Sequence, residues 1–383
     1  MLEYKDALKI ILSSVKTLPV EKVNLRNSLR RVLATDIFHD MDMPPFNKSA
    51  MDGFACRKED LQNDLEVVET IFAGKQPEKR IFRNQCSKIM TGAVVPEGAD
   101  FVFKKEDAKR TADNKVTCTT LPSENHICYR GEDILKGERI LYQSTLITPR
   151  HLPVLAGAGI TQPEVYSRPK TIVLATGTEL VEPEIKPQPF QIRNSNSSQL
   201  LAQLAEVGID ADYGGIVTDE KTILEERVKK AFETNQLVIL TGGVSVGEYD
   251  LIPEILYDCG FEILVRKTAI KPGKPMVFAR KENNYCFGLS GNPVSSFIQF
   301  EMYVKPFLYK LMGHSYNPAI FKLSLKNDYV RKNAERMNFV PADINEDMQV
   351  VPVDFHGSAH INALSSATVL FEVPKAVELI KKK

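Results

Sequence analysis

At 383 residues the chain is long for one domain and predicts roughly two to four, at about 150 residues each. Hydrophobic residues make up 43%, which excludes global disorder, and 49 Lys plus Arg balance 49 Asp plus Glu, which argues against a bulk nucleic-acid binder. No apolar run reaches about 18 residues, the start lacks a basic secretory n-region, and the six cysteines form no CxxC pair, so a cytoplasmic protein with no membrane span and reduced, mostly structural thiols is expected.

Leu8, Ile11, Leu12 and Val15 share one face of a helix predicted over residues 3–17. A loop with two prolines follows at 42–50. From about 52 to 133, short apolar runs (Leu65–Ile71, Asp100–Phe103, Lys115–Thr119) alternate with turn residues and predict a small β domain. From 168 to about 312 the pattern becomes β-α-β. Strands are predicted at 171–176 (TIVLAT), 236–241 (QLVILT) and 285–289 (YCFGL), and helices at Gln199–Val207, Leu224–Phe232 and Ile252–Asp258. A long helix follows, with Phe297, Phe300, Val304, Phe307, Leu308 and Leu311 as its apolar set and a bend expected at Pro306. Such alternation predicts a doubly wound, mostly parallel sheet. From about 318 to 383, the runs Ala319–Leu325, Gln349–Val353 and Thr368–Val373 predict a small β barrel or sandwich.

Three predicted strands end in glycine-bearing loops: Gly177–Glu179, Gly242–Asp250 and Ser290–Pro293. Ligands bind outside the carboxyl ends of parallel strands, and glycines let backbone N–H groups approach an anion. Gly242, Gly243, Ser245, Asn292 and Pro293 are therefore candidate substrate contacts. Asn292 as N-cap and Pro293 at the first helical position would present open N–H groups, with the Ser295 hydroxyl in the first turn. Glu179, Asp219 and Asp250 accompany these loops, and carboxylates beside phosphate loops commonly hold Mg2+. Lys267 and the proline-stiffened Lys271-Pro272-Gly273-Lys274-Pro275 offer point charges for phosphate or a small oxyanion. His356 and His360 are four apart, but Gly357 and Ser358 between them make a metal-binding helix a poor expectation.

The stretches PPFNKSAMDGFA, MTGAVVPEGAD, RGEDI, ATGTEL, NSNS, GGVSVGEYD, AIKPGKP and GLSGNPVSS occur in order between about residues 44 and 300. Together they resemble the molybdopterin molybdenumtransferase family, which includes the E domain of gephyrin. The resemblance implies a multidomain fold of α/β plus β type. Residues 1–45 and 134–167 would form a discontinuous linking domain, 46–133 the small β domain, 168–317 the α/β domain and 318–383 a C-terminal β barrel. It implies Mg2+-dependent insertion of molybdate into adenylyl-molybdopterin with release of AMP, a homodimer with its site at the subunit interface, and contact with the molybdopterin adenylyltransferase. By motif, Asp52 and Thr91 would act across the dimer, and Asp133, Glu179, Asp219 and Asp250 would handle metal and substrate. Lys267, Lys271 and Lys274 would hold phosphate or oxyanion, with molybdate near Lys274, Pro275 and Ser295 and a further contact from Ser358. An adenylyltransferase is the alternative enzyme reading, but those enzymes lack the DGFA and TGAVVPEGAD half; an inactive scaffold is the third.

Four positions depart from the family. Ser290 stands where proline is usual, Thr178 where aspartate is frequent, and Asn194 where aspartate is usual. A Gly-Arg-x-x-Phe-x-Arg run reads Glu335-Arg336-Met337-Asn338-Phe339-Val340-Pro341, without its second arginine. Weakened metal and anion contacts are expected from these changes, and a looser loop from Ser290.

Overall fold

The structure, a computed structural model, describes residues 1–244, 251–354 and 357–382. The chain folds into two compact units, one of residues 36–143 and 150–161 and the other of residues 1–35, 144–149 and 162–383. Among the described residues, no helix is long and apolar enough to cross a membrane.

The first unit is built on a six-stranded sheet of β1 (Gly53–Cys56), β2 (Leu65–Ile71), β3 (Gln85–Ile89), β4 (Phe101–Lys104), β5 (Ala108–Ala112) and β6 (Lys115–Cys118), in the order β4-β1-β3-β2-β6-β5. Only the β2–β3 pair is parallel. Alternation sorts the side chains between two cores. Phe54, Cys56, Cys86, Phe101 and Phe103 pack on one side, and Ala55, Ile89 and Val102 on the other. A Cβ on Gly53 would lie 1.9 Å from the Phe103 carbonyl oxygen, so the glycine of the DGFA motif is needed for β1 and β4 to pair. All six cysteines are free thiols, and burial pushes Cys86 up to about 12, the inert behaviour expected of core cysteines.

In the second unit α1 (Tyr4–Ser13) is followed by β7 (Thr171–Thr176), α2 (Asn196–Glu206), β8 (Asp212–Val217), α3 (Lys221–Thr234), β9 (Leu237–Thr241), α4 (Leu251–Asp258), β10 (Glu262–Lys267), β11 (Pro275–Lys281) and β12 (Asn284–Leu289). The sheet order is β8-β7-β9-β12-β11-β10. β8, β7, β9 and β12 are mutually parallel, whereas β11 and β10 pair antiparallel. The sheet is thus mixed, and the antiparallel edge was not legible in the sequence: Glu262–Lys267 and Pro275–Lys281 carry charges and a proline that dilute the apolar signal. Helices cover both faces. Leu237 and Ile239 of β9 join a core with Ile11, Leu204, Phe287 and Phe307, while Val238 and Leu240 join another with Leu224, Val228, Ile252 and Ile255.

The long helix after β12 is not uniform. It runs as α5 (Pro293–Gln299), a π-helical segment Phe300–Val304, and α6 (Lys305–Leu311). The wide π turn ends just before Pro306, whose missing N–H and ring would clash with a regular α turn there. Beyond it, β13 (Met337–Ile344) pairs antiparallel with β14 (Val350–Pro352) and β15 (Val369–Val373), and parallel with the two-residue strand Ile270–Lys271. Residues 319–325, expected to be extended, hold only an isolated bridge from Leu325 to Val350, and Ile320 and Phe321 are exposed.

Candidate active site

The carboxyl ends of β7, β9 and β12 open onto one cleft of about 400 Å³. It is lined by Thr176, Gly177 and Glu179 after β7, Gly242–Val244 after β9, and Ser290–Pro293 after β12. Arg193, Asn194 and Ser195 just before α2, Asn196 at its start, Asp219 after β8 and Thr241 add polar groups, and Leu180, Ile192 and Pro275 add apolar ones. All three loops singled out by the sequence therefore meet at one place. Ser245 and Asp250 lie outside the described residues, as does His356.

Close backbone packing requires glycine at two points of the cleft wall. A Cβ on Gly242 would lie 2.2 Å from the Thr176 carbonyl oxygen, and one on Gly243 2.9 Å from Thr176 Oγ1; both glycines have positive φ. Thr176 Oγ1 is buried without a hydrogen-bond partner, so the cradle holds a donor in reserve. Glu179 is exposed at the mouth, with both carboxylate oxygens within about 3.0 Å of where a Gly177 Cβ would stand, so glycine lets the carboxylate fold back over the turn. Asp219 Oδ2 accepts the Thr178 N–H at 3.2 Å.

Other expected contacts sit elsewhere. Lys267, Lys271, Lys274, Ser295 and Ser358 do not line the cleft. Lys271 and Lys274 are exposed, whereas Ser295 is 3% exposed and lies behind the wall. The open helix start is corrected as well. The Asn292 N–H goes to Ser290 Oγ at 3.2 Å, Pro293 has none, and the Val294 N–H goes to the Ser358 carbonyl at 3.0 Å. Three of the first turn's four amides are thus unable to meet an anion, and the Asn292 side chain makes no capping bond.

Asp52, Thr91 and Asp133 belong to the other unit. Thr91 donates both its N–H and its hydroxyl to Asp52 Oδ1, each at 2.8 Å, and Lys105 Nζ stands 3.9 Å from Oδ2. The two Thr91 bonds, with Lys105 adding its charge, hold the Asp52 carboxyl below the usual carboxylate range, so it is ionised at neutral pH. Asp133 is exposed in the RGEDI turn, where Arg130 pairs with Asp42 at 2.6 Å.

Residues 2–159 match the family described as MoeA N-terminal region (domain I and II), and residues 172–310 match the probable molybdopterin binding domain. A molybdopterin molybdenumtransferase of Staphylococcus epidermidis is 38% identical over 385 residues, covering 97% of this chain and 91% of the relative. The chain belongs to the molybdopterin molybdenumtransferase family. A Staphylococcus aureus member is 32% identical over 381 residues, again covering 97% of this chain and 91% of the relative. A crystal structure of a molybdopterin biosynthesis moeA protein from Pyrococcus horikoshii OT3 superposes with a TM-score of 0.84 at 29% identity, covering 100% of this chain and 97% of that one. The chain is a transferase of molybdenum cofactor biosynthesis with mixed α/β sheets and several domains.

Against this family, each departure has a local account. Asn194, 2% exposed, donates to Ser197 Oγ at 3.0 Å and to the Tyr213 hydroxyl oxygen at 2.9 Å, while that hydroxyl donates to Glu182 at 2.8 Å. Burial and the Glu182 bond push Tyr213 up to about 12. With its one proton committed to Glu182, Tyr213 accepts from an asparagine and would repel an aspartate. Thr178 makes its contact to Asp219 through its backbone, which any residue but proline supplies. Pro341 is buried in β13, and Arg336 donates to the Ile270 carbonyl at 2.9 Å, so the surviving arginine of that run serves the fold. The sequence reading missed Thr176, Asn196 and Thr241. Asn196 Nδ2 bonds Thr241 Oγ1 and the Gly291 carbonyl, each at 2.8 Å, which ties two cleft loops together. The NSNS stretch held that signal, but nothing in one sequence says which asparagine turns inward.

Among the described residues, no cluster of three or more His, Cys, Asp or Glu side chains forms a preset metal cage. Mg2+ does not require one, since it takes one or two carboxylates and completes its shell with phosphate oxygens and water. Glu179 and Asp219 on one cleft, beside a glycine cradle and an unpartnered Thr176 hydroxyl, fit that demand.

Proposed function

We propose that the chain inserts molybdate into adenylyl-molybdopterin with release of AMP, in a Mg2+-dependent reaction. The observation carrying this is the convergence of the Gly242–Gly243 cradle with Glu179 and Asp219 on one cleft of about 400 Å³ that also holds the apolar Leu180 and Ile192. Cleaving a phosphoanhydride asks for positioning and charge neutralisation rather than a covalent nucleophile. The Gly243 amide and Thr176 hold phosphate oxygens, the Gly242 N–H being taken by the Leu289 carbonyl at 3.1 Å, and the lysines of the 267–274 segment add positive charge. Leu180 and Ile192 receive a planar ring. Glu179 and Asp219, with Asp250, would hold Mg2+, which when bound neutralises the phosphates. The direct test is incubation of the purified protein with adenylyl-molybdopterin, Mg2+ and molybdate. Molybdate-dependent AMP release is expected; no AMP with intact protein binding would favour a scaffold, and ATP-dependent formation of the adenylate would favour an adenylyltransferase.

The four-domain layout, with boundaries at 1–45 plus 134–167, 46–133, 168–317 and a C-terminal barrel at 318–383, is part of the same reading. The N-terminal match, described as two domains over residues 2–159, supports it. So are a cytoplasmic location, contact with the adenylyltransferase, and a homodimer in which Asp52 and Thr91 of one subunit serve the cleft of the other. The ionised Asp52, partly exposed and held by Thr91 in a unit separate from the cleft residues, supports a shared site. Asp52→Asn and Glu179→Ala proteins are each expected to be nearly inactive alone, and to regain AMP release when refolded as a mixture, because half-and-half dimers carry one intact site. A monomer by sedimentation, or a mixture as inactive as its components, would refute the shared site.

A further inference from the structure

Gln299 is 0% exposed at the carboxyl end of α5, in a core rich in phenylalanine. A buried amide is costly unless its donors and acceptor are met. Here they are. Nε2 donates to the Gly273 carbonyl at 2.9 Å and the Pro275 carbonyl at 2.7 Å, and Oε1 accepts the Ser290 N–H at 2.9 Å. The partners fix the amide's orientation, since two carbonyls must face the NH2 and an N–H must face the oxygen. Two of these bonds flank Lys274, and the third ends on the loop after β12. Gly273 has a φ of +108°, and a Cβ there would lie 3.0 Å from Gln299 Cγ, so glycine lets the lysine loop close on the amide.

Ser290 is held on its other sides too. Its carbonyl accepts from Thr241 Oγ1 at 3.3 Å, and its Oγ accepts the Asn292 N–H at 3.2 Å. These contacts give the loop after β12 three side-chain hydrogen bonds at Ser290, where a looser loop was expected. A proline at 290 would have no N–H and would leave Gln299 Oε1 buried without a donor.

We propose that Gln299 is a positioning residue that sets the distance between Lys274 and the Ser290–Pro293 wall of the cleft, and that the Ser290–Gln299 pair supplies by hydrogen bonding the rigidity a proline ring gives elsewhere in the family. The proposal rests on the AMP-releasing reading above. Its test is a mutant cycle with two readouts. Gln299→Glu keeps the acceptor for Ser290 but sets a carboxylate oxygen against the carbonyls of Gly273 and Pro275. Ser290→Pro keeps those two bonds and removes the third. Each is expected to raise the molybdate concentration for half-maximal AMP release about fivefold, with kcat nearly unchanged. Ser290→Ala, which retains the N–H, is expected to lose clearly less than Ser290→Pro. In Gln299→Met, adding Ser290→Pro is expected to cost little more, because the acceptor is already gone. Independently of turnover, the Ser290 amide is expected to exchange its hydrogen about tenfold faster in Gln299→Met than in the wild type. Additive losses, or a lowered unfolding midpoint with unchanged molybdate dependence, would overturn the proposal. If the wild-type protein releases no AMP, the reaction reading fails, and amide exchange alone decides the clamp: equal Ser290 exchange in wild type and Gln299→Met sinks it. Should Gln299→Met not fold, Gln299→Glu and Ser290→Pro decide it by their molybdate dependence.

Discussion

Glu179→Ala is expected to lower AMP release by at least about 100-fold at the Mg2+ concentration that just saturates the wild type, while leaving the unfolding midpoint within about 2 °C of wild type. The carboxylate is exposed at the cleft mouth, and the fold draws on this residue through its main chain, whose carbonyl accepts the Ile192 N–H at 2.9 Å. Alanine keeps that bond. What it removes is one of two described carboxylates facing the glycine cradle, and Mg2+ binding by one or two carboxylates has little redundancy. Raising Mg2+ should therefore recover part of the loss, which a purely steric defect would not show. Turnover within a few fold of wild type would remove Glu179 from the metal or substrate role. Asp250→Ala carries the same expectation, on the GGVSVGEYD motif alone.

The legible part of this molecule is the part written in long buried runs and glycine loops. TIVLAT became β7 at the same six residues, and QLVILT became Leu237–Thr241, because parallel strands covered on both faces leave no room for charged residues. Their loops could be placed on one sheet edge from the order of elements alone, and they line one cleft. The antiparallel edge was illegible because Glu262 and Arg280 are free to sit in a half-exposed ladder, where they pair at 3.4 Å. The helix start after β12 was read from cap chemistry, and the cap residues do stand where expected. The Asn292 amide is closed off by Ser290 Oγ, and the Val294 amide by the carbonyl of Ser358, a residue 64 positions further on whose approach no local pattern encodes. Gln299 was invisible for the same reason. In the sequence it is one polar letter within an apolar helix, and only tertiary contact shows that it spans two loops.

Loss of the Lys274 ammonium is expected to weaken molybdate about tenfold and the adenylate much less. The sequence alone suggested three supports for the oxyanion: the lysine, the open helix start, and the Ser295 hydroxyl. The structure withdraws two of them, since Ser295 is 3% exposed and three of the four first-turn amides are spent or absent. The lysine is then left with a larger share of the compensating charge. It lies on a loop pinned on both sides, by Gln299 to the carbonyls of Gly273 and Pro275 and by its own carbonyl, which accepts the Thr268 N–H at 3.0 Å. Such a contact keeps its entropic advantage because the backbone does not have to be ordered on binding. A charge-assisted contact contributes roughly 1.5–3 kcal/mol, and solvent screening at this exposed position places Lys274 at the low end, where about 1.4 kcal/mol is tenfold. The adenylate retains the glycine cradle, Thr176 and the carboxylate-held Mg2+, so its affinity should change by less than about threefold. The measurement is separate titration of molybdate and adenylyl-molybdopterin into Lys274→Ala, at low and at moderate salt. The molybdate difference should shrink as salt rises, as screening of an exposed charge requires. Equal losses for both ligands would assign Lys274 to the phosphates, and an unchanged molybdate affinity would move the oxyanion site away from this loop altogether.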